Sequence, residues 1–283
     1  MKPSSLRDVI ARASRTLGDA GVPTPEVDAR LIAASLLDVP PLHLSFTDAP
    51  AGFARDYADA IARRAAREPL QHITGSAQFG PLELAVGPGV FIPRPETEVL
   101  AQWAVDALAD TADPLVVDLG TGSGALAIFM ARARPDARVI AVERSATARG
   151  YARENAAANG ASISVLAGDM TDPELLEDLA GRIDLVVANP PYVPEDPDLA
   201  PEVYFDPAEA VFSGAEGMDA IRGLVPVAAR LLSPGGSVGI EHDDTTSRAV
   251  CEAVRAAGRF AEPAVLHDLT GRARFVTASK LNG

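Results

Sequence analysis

Cysteine and long apolar runs are nearly absent from this chain, and each absence excludes a class of protein. Of the 283 residues only Cys251 is a cysteine, which excludes an internal disulfide and a cysteine-rich metal site. The histidines are scattered at positions 43, 72, 242 and 267, without metal-ligand spacing. No apolar run approaches the roughly 20 residues of a membrane span, and the N-terminus leads into a mixed polar helix rather than a signal peptide core. We expect a cytoplasmic protein that binds neither a metal nor a membrane.

Positive charge is also scarce over most of the chain. Residues 1–70 hold nine basic and nine acidic side chains, so the net charge of −14 is carried by the remainder. Such an acidic remainder argues against a sequence-independent grip on phosphate backbones, although it leaves room for a local basic patch. We therefore expect no direct contact with nucleic acid.

Residues 189–217, called the acidic segment below, contain no lysine or arginine, but six prolines and seven acidic side chains. A loop of this length with little regular pattern is usually either functional or disordered. Tyr204, Phe205 and Phe212 count against disorder. The position of the segment directly after a strand favours an active-site lid.

The order of apolar patterns predicts two domains and a linker. Residues 5–70 show only helical patterns and indicate a small helical domain over 1–75. Phe79–Val86 reads as a β-hairpin within a linker over 76–98. Strands and helices then alternate through 99–283, which predicts an α/β domain with a mostly parallel sheet, helices on both faces and an antiparallel strand at the end. The expected elements include strands at 115–119, 138–142, 162–166, 183–188 and 237–241, and helices at 125–133, 146–159, 172–180, 218–232 and 245–257.

Asn189-Pro190-Pro191-Tyr192 follows the apolar strand 183–188 and is the most informative motif of the chain. Proline fixes its own φ and pushes the preceding residue to extended geometry, so this strand ends rigidly. The Asn189 amide and the Pro190 carbonyl then present two fixed acceptors, with the Tyr192 ring beside them. Such a corner suits a planar –NH2 group. An ordinary proline-rich turn is the simpler alternative, and the full four-residue string makes it the weaker one.

A glycine-rich loop links the first strand of the α/β domain to its helix. It comprises Gly120, Thr121, Gly122, Ser123 and Gly124. Glycines allow a sharp turn and a close ligand approach, and the following helix N-terminus offers free N–H groups. The loop alone fits NAD, FAD or S-adenosylmethionine equally well.

Acidic residues end the next two strands, where a nucleotide ligand of such a sheet lies. Glu143, about 20 residues beyond the glycines, is placed to accept hydrogen bonds from both ribose hydroxyls. Asp169 is placed to accept from an adenine amino group, with Met170 packing on the ring. The fourth strand favours methyl transfer over hydride transfer, because it presents two acceptors and an aromatic ring where a dehydrogenase needs a proton-transfer group.

Together these motifs resemble the class I S-adenosylmethionine-dependent methyltransferases, and more narrowly the HemK/PrmC family of release-factor glutamine methyltransferases. The resemblance covers nearly the whole chain. Beside the glycine loop and Asn-Pro-Pro-Tyr, it is carried by Gln71–Gly75, Phe91–Glu98 and Asp268–Arg272. Asn-Pro-Pro-Tyr is shared with DNA-adenine and some rRNA-guanine methyltransferases, whereas Pro93–Glu98 and the helical N-terminal domain narrow the likeness to this family.

The resemblance implies a Rossmann-like class I fold and a specific reaction. A methyl group passes from S-adenosylmethionine to the side-chain amide of the glutamine in the Gly-Gly-Gln motif of peptide chain release factors, and the helical domain helps to dock that substrate. Asn189, Pro190 and Tyr192 are the expected catalytic residues, and Asn189 also borders the cofactor. Pro191, Phe91 and Arg94 are expected to line the substrate pocket, although Arg94 could instead pair with Glu96 or Glu98. We expect a monomer.

Two other activities remain open at this point. A nucleic-acid amino methyltransferase has the same kind of pocket, and the acidic charge weighs against it. A nicotinamide-dependent oxidoreductase shares the glycine loop. A non-catalytic binding module is disfavoured because every motif residue is present.

Overall fold

The chain, seen as a computed structural model, is described over residues 5–194 and 199–282. Residues 195–198 of the acidic segment lie outside the described residues. The chain divides into two units, Met1–Ser76 with Leu199–Phe205, and Ala77–Asp198 with Asp206–Gly283. In the described residues no helix is long and apolar enough to cross a membrane.

In the described residues of the first unit, the α-helices are α1 (Leu6–Asp19), α2 (Pro25–Leu36), α3 (Phe53–Ala65) and α4 (Leu70–Thr74), and a 3-10 turn lies at Pro41–Phe46. Helices α1, α2 and α3 lie within residues 5–70, where the sequence predicted only helical structure. Helix α1 begins with a reciprocal cap, because the Ser5 hydroxyl accepts from the Asp8 N–H and the Asp8 carboxylate accepts from the Ser5 N–H. Helix α2 begins on a proline at its first position.

Glu202 of the acidic segment belongs to this first unit through ion pairs. Its carboxylate accepts from Arg64 Nη1 at 3.0 Å, and from Arg67 Nε and Nη2 at 2.7 Å each. Arg64 also donates to the buried Asp28 carboxylate at 2.7 Å. Part of the predicted lid is thus held by the helical unit.

The second unit opens with a hairpin, β1 (Ser76–Phe79) and β2 (Leu82–Ala85), and helix α5 (Thr97–Ala107). Alternating strands and helices follow: β3 (Leu115–Leu119), α6 (Ala125–Ala133), β4 (Arg138–Glu143), α7 (Ala146–Ala158), β5 (Ile163–Ala167), β6 (Ile183–Ala188), α8 (Ala208–Val211), α9 (Asp219–Leu231), β7 (Leu232–Glu241), α10 (Ser247–Ala256), β8 (Ala264–His267) and β9 (Ala273–Ser279). The seven-stranded sheet has the order β5-β4-β3-β6-β7-β9-β8. All pairs are parallel except those of β9, as predicted for the end of the chain.

Apolar cores cover both faces of this sheet. Along β3, Val117 and Leu119 contribute to the core that also holds apolar residues of α9 and α10, whereas Val116 contributes to the core that holds residues of α5, α6 and the hairpin. This division follows from the pleat, since successive side chains of a strand point to opposite faces.

The helix predicted over 172–180 is wrong. Only Glu177–Leu179 form a 3-10 turn, and Leu176 lies in the left-handed region at φ 53°. The Asp172 carboxylate accepts from the Glu174 N–H at 2.9 Å, which offers the backbone a turn instead of a helical bond. The acidic segment also has more structure than predicted, with a 3-10 turn at Pro201–Phe205, the helix α8 and a bridge between Val193 and Phe212.

Candidate active site

The sheet changes winding direction between β3 and β6. Strands β4 and β5 follow β3 on one side, and the later strands lie on the other. Leu119 and Ala188, the last residues of β3 and β6, are partners in the ladder, so the glycine loop and Asn189 leave the sheet side by side. Such a switch point is where ligands of open α/β sheets bind.

A cavity of about 490 Å³ lies at this edge. Most of the predicted site residues line it, namely Phe91, Gly120, Thr121, Gly122, Ser123, Glu143, Asp169, Met170, Asn189 and Pro191. Gly124, Pro190, Tyr192 and Arg94 are not among its lining residues. Further walls come from α8, from the start of α9 and from the segment between them, including Glu209, Asp219 and Ser213.

The glycine loop leaves β3 through a left-handed residue, Gly120, at φ 77°. A Cβ atom on Gly120 would lie 2.4 Å from Met170 Cε, so the loop and Met170 approach each other as closely as glycine allows. The glycine loop and Met170, which the sequence predicts to contact the same ligand, therefore meet at the cavity wall.

Glu143 joins the glycine loop to the start of α7. Its Oε2 accepts from the Gly122 N–H at 3.0 Å and its Oε1 accepts from the Ser145 N–H at 2.7 Å. Both carboxylate oxygens are fixed by the main chain, and each retains a lone pair for a ligand in the cavity.

Asp169 forms a tight turn of its own after β5. Its Oδ1 accepts from the Thr171 N–H at 2.8 Å and from the Thr171 hydroxyl at 2.7 Å. These hydrogen bonds lower the pKa of Asp169, since they stabilise the charged carboxylate. The side chain lines the cavity in its ionised form at neutral pH.

Asn189 begins a hydrogen-bonded cluster at the edge of the cavity. Asn189 Nδ2 donates to Thr97 Oγ1 at 3.2 Å, and Thr97 Oγ1 donates to Glu241 Oε2 at 2.7 Å. The Tyr192 hydroxyl donates to the other oxygen, Glu241 Oε1, at 3.0 Å. Burial raises the pKa of Glu241 to about 7, and burial together with the nearby Glu241 raises the pKa of Tyr192 well above its usual value.

Arg94 pairs with Asp206 and with neither Glu96 nor Glu98. The fully buried Asp206 carboxylate accepts from Arg94 Nη2 and, at 3.2 Å, from the Ile92 N–H. The guanidinium also lies 4.9 Å from the centre of the Phe91 ring. The segment around α8 has a second attachment, since Arg144 donates to the Glu209 carbonyl at 3.0 Å.

The sequence matches two families over most of its length. Residues 8–75 match the PrmC N-terminal domain, and residues 82–204 match the methyltransferase small domain. A release factor glutamine methyltransferase of Corynebacterium glutamicum is 55% identical over 98% of this chain and 99% of its own. The relative of the same name from Mycolicibacterium smegmatis is 54% identical over 98% of each chain, and that from Streptomyces coelicolor is 47% identical over 96% of each.

The chain belongs to the release factor glutamine methyltransferase family. The resemblance inferred from its motifs is thereby confirmed.

Solved structures support the class I methyltransferase fold of this family member. The catalytic domain of hMettl16 superposes with a TM-score of 0.54 at 17% identity, over 79% of this chain and 82% of that one. The 16S rRNA N2 G1207 methyltransferase of T. thermophilus gives a TM-score of 0.51 at 23% identity, over 72% of this chain and 49% of that one. At these identities the likeness concerns the fold alone.

Asp118, at the end of β3, is a candidate site residue of this methyltransferase that the sequence reasoning missed. Its Oδ2 accepts from the Thr121 hydroxyl at 2.5 Å and from the Ala127 N–H at 3.2 Å, whereas its buried Oδ1 has no hydrogen-bond partner. Burial raises the pKa of Asp118 to about 7. The available signal was an acid two residues before the first glycine of the loop.

Thr97 and Glu241 are two further candidate site residues that were not predicted from the sequence. Thr97 lies inside Pro93–Glu98, where the sequence prediction assigned only Arg94 to the site, and Glu241 ends β7 at the same edge of the sheet as Glu143. A strand-end acid beside the Asn-Pro-Pro-Tyr strand was again the signal, but the partnership with Thr97 spans 144 residues of sequence.

Acidic side chains outnumber basic ones among the described residues that line the cavity. Five of these residues are acidic, Asp118, Glu143, Asp169, Glu209 and Asp219, and one is basic, Arg144. Such a lining favours a cationic ligand and disfavours the diphosphate of a nicotinamide cofactor. Among the described residues, no group of three or more histidine, cysteine or acidic side chains is arranged to hold a metal ion.

Proposed function

We propose that this enzyme transfers a methyl group from S-adenosylmethionine to the side-chain amide nitrogen of the glutamine in the Gly-Gly-Gln motif of peptide chain release factors. The observation that carries the proposal is the end-to-end similarity to release factor glutamine methyltransferases at 44–55% identity. The proposal includes a cytoplasmic monomer that makes no direct contact with nucleic acid.

The cavity suits S-adenosylmethionine on four grounds. The acidic lining matches a ligand with a sulfonium and an ammonium group. The orphaned Asp118 Oδ1 supplies a buried acceptor for such a positive donor, which also lowers the cost of its burial. Glu143, with both oxygens fixed by main-chain N–H groups, is preorganised to accept from ribose hydroxyls. Asp169 and Met170 would hold the adenine, at the wall that Met170 forms with Gly120.

The bound cofactor supplies an electrophilic methyl group on a positively charged sulfur. The protein must position the acceptor, because an amide nitrogen is a weak nucleophile whose lone pair is shared with its carbonyl. Asn189 Oδ1 and the Pro190 carbonyl would accept the two N–H hydrogens and fix the nitrogen in line with the methyl group. As positive charge develops on the nitrogen, both acceptors would hold it more tightly than in the ground state. The new carbon–nitrogen bond would form as the carbon–sulfur bond breaks to leave a neutral thioether, and the nitrogen would then lose one of its two protons to water. Tyr192 would pack on the flat amide, and Pro191 and Phe91 would line its entry.

The helical unit would dock the release factor, in keeping with the domain division predicted from sequence. Leu42 and Phe46 on its 3-10 turn are 82% and 89% exposed, and they offer apolar surface for a protein partner. The described part of this unit includes the Glu202 ion pairs, which tie a piece of the acidic segment to it.

Methyl transfer to a purified release factor tests the proposal. Incubation with methyl-labelled S-adenosylmethionine followed by peptide mapping should place the label on the Gly-Gly-Gln glutamine. Asn189→Ala should lower kcat by at least roughly 10²-fold while the cofactor affinity changes far less, by analogy with lost oxyanion donors.

Structured RNA and duplex DNA serve as competing acceptors in the same assay. Label on adenine or guanine alone would contradict the proposed substrate, and an unchanged kcat for Asn189→Ala would contradict the role of its carboxamide. Release factor with glutamine replaced by alanine in the motif is the matched control and should remain unlabelled.

A further inference from the structure

Four side chains from distant parts of the sequence form one hydrogen-bonded cluster that includes Asn189, the residue proposed to accept a hydrogen bond from the substrate amide. Thr97 is the first residue of α5, Asn189 and Tyr192 follow β6, and Glu241 is the last residue of β7. Thr97 is 3% exposed and Glu241 is 1% exposed, so water does not compete for their bonds. Neither residue lies within the Asn-Pro-Pro-Tyr motif, and Glu241 does not line the cavity.

When Glu241 is ionised, the proton inventory of these groups fixes the direction of every hydrogen bond in the cluster. An ionised carboxylate only accepts, so Thr97 and Tyr192 must each give their single hydroxyl proton to Glu241. With its proton committed, Thr97 Oγ1 can act only as an acceptor toward Asn189. It therefore selects the –NH2 end of the carboxamide, which is the end found on it at 3.2 Å.

We propose that Thr97 and Glu241 are positioning residues that hold the Asn189 carboxamide with its oxygen available to the target nitrogen. The inference rests on the proposed function and deepens it. A carboxamide turned by half a rotation would present –NH2 to the incoming amide, and two donors would then face each other. In that turned arrangement Asn189 could not accept a hydrogen bond from the substrate amide. The hydrogen bond to Thr97 prevents it.

The same carboxylate also positions the other end of the motif. Glu241 holds Asn189 through Thr97 by one oxygen and the Tyr192 hydroxyl by the other. Pro190 and Pro191 stiffen the backbone between the two anchored side chains. One buried group thereby fixes both the acceptor and the ring that flanks the substrate amide.

The ionisation of Glu241 controls the direction of the hydrogen bonds in this cluster. Four groups face its carboxyl: Thr97 and Glu96 from the start of α5, Tyr192 after β6, and Arg274 of β9. Thr97, Tyr192 and Arg274 stabilise the charged carboxylate, but burial outweighs them and raises the pKa of Glu241 to about 7. A protonated Glu241 can donate, which releases the Thr97 proton toward Asn189 Oδ1 and admits the blocked orientation. We expect kcat to fall as pH drops through about 7.

Three substitutions test the positioning role against a purely structural one. Thr97→Val keeps the shape but removes the hydroxyl, and it should lower kcat roughly tenfold or more, with the cofactor Kd and the KM for the release factor within about twofold of the wild type. Thr97→Ser restores the hydroxyl and should recover most of the loss. Glu241→Gln, which can donate as well as accept, should lower kcat and flatten its pH profile near neutrality.

Thr277→Val is the matched control, because Thr277 is a buried threonine of β9 outside the cluster. It should leave kcat unchanged. A readout independent of turnover is hydrogen exchange of the Asn189 side-chain amide by NMR, which should be slow in the wild type and in Thr97→Ser but fast in Thr97→Val.

The outcomes separate the two proposals. A wild-type enzyme that does not methylate the release factor rejects the proposed function and this inference with it. An active wild type with unchanged kcat and amide exchange in Thr97→Val and Glu241→Gln rejects the positioning role alone. Equal losses of kcat and cofactor binding in both variants, without rescue by Thr97→Ser, would likewise reject it in favour of a general role in folding.

Discussion

At the scale of single residues, the acids of the cavity differ in what surrounds them. Glu143 receives two main-chain N–H groups, whereas Asp118 is buried with one oxygen left without a partner. The first arrangement holds a carboxylate in one orientation before any ligand arrives. The second leaves a buried acceptor that a positively charged donor can satisfy. Both features favour a cationic, hydroxyl-bearing ligand over an anionic one.

Replacement of Glu143 by glutamine should weaken cofactor binding. A glutamine can accept from only one of the Gly122 and Ser145 N–H groups with its oxygen, so its –NH2 end opposes the other donor. We expect the Kd for S-adenosylmethionine to rise by roughly 10-fold to 100-fold, in line with the loss of one or two hydrogen bonds to a charged group.

Calorimetric titration with the cofactor measures this effect. Glu154→Gln removes the same charge from an exposed position on α7 and is the matched control. An unaltered affinity in Glu143→Gln would remove the ribose assignment.

At the scale of secondary-structure elements, local patterns predicted most of the second unit. The strands β3, β4 and β6 and the helices α6 and α7 agree with their predicted ranges to within a residue or so. The helix prediction for residues 172–180 was wrong because the leucine-rich pattern of this region resembles that of a helix. The Asp172 carboxylate and the left-handed Leu176 instead hold the backbone in turns. A side chain that hydrogen-bonds to the backbone of a turn competes with helix formation, and the spacing of apolar residues gives no information about such bonds.

Within the acidic segment, Asp206 is the residue that fixes the chain just before α8. Its buried carboxylate binds the Ile92 N–H and Arg94. Asp206→Asn leaves one of these donors without an acceptor, and the fold should lose about 1–3 kcal/mol of unfolding free energy. The residues around α8 should also become easier to cleave.

Denaturant titration and limited proteolysis measure these two effects. The acidic segment contains no lysine or arginine, so chymotrypsin, which can cut at Tyr204 and Phe205, replaces trypsin as the probe. Glu216→Gln, which breaks an exposed pair with Arg222 in the same segment, should change neither result. Equal proteolysis of the Asp206→Asn variant and the wild type would contradict the role of Asp206.

At the scale of the whole molecule, two buried carboxyls tie stability to pH. Burial raises the pKa values of Asp118 and Glu241 to about 7, from ordinary values of 3.8 and 4.5. Between these limits the folded protein binds more protons than the unfolded chain, so the free energy of unfolding should fall as pH rises. Buried His242, whose pKa is lowered, acts in the opposite direction only up to its ordinary value of 6.5.

Urea denaturation without cofactor, between about pH 5.5 and about pH 8, measures this dependence. The wild-type midpoint should fall across this range, and Glu241→Gln should show a smaller fall because one of the two titrating groups is gone. Equal slopes for the two proteins would show that Glu241 does not titrate in this range.

The sequence by itself determined the features that depend on near neighbours in the chain. The glycine loop, the rigid Asn-Pro-Pro-Tyr corner, the strand-end acids and the alternation of strands with helices all follow from local sterics and periodicity. These features sufficed to predict the fold class and most residues that line the cavity.

Only the tertiary structure decided which side chains meet behind the site. Thr97 and Glu241 are 144 residues apart, and Arg94 and Asp206 are 112 apart, yet each pair is hydrogen-bonded. Their meeting depends on the order of the strands and on the path of the acidic segment. The raised pKa values of Asp118 and Glu241 likewise arise from burial by groups that no local pattern identifies, because desolvation is set by everything packed around a side chain and not by its neighbours in sequence.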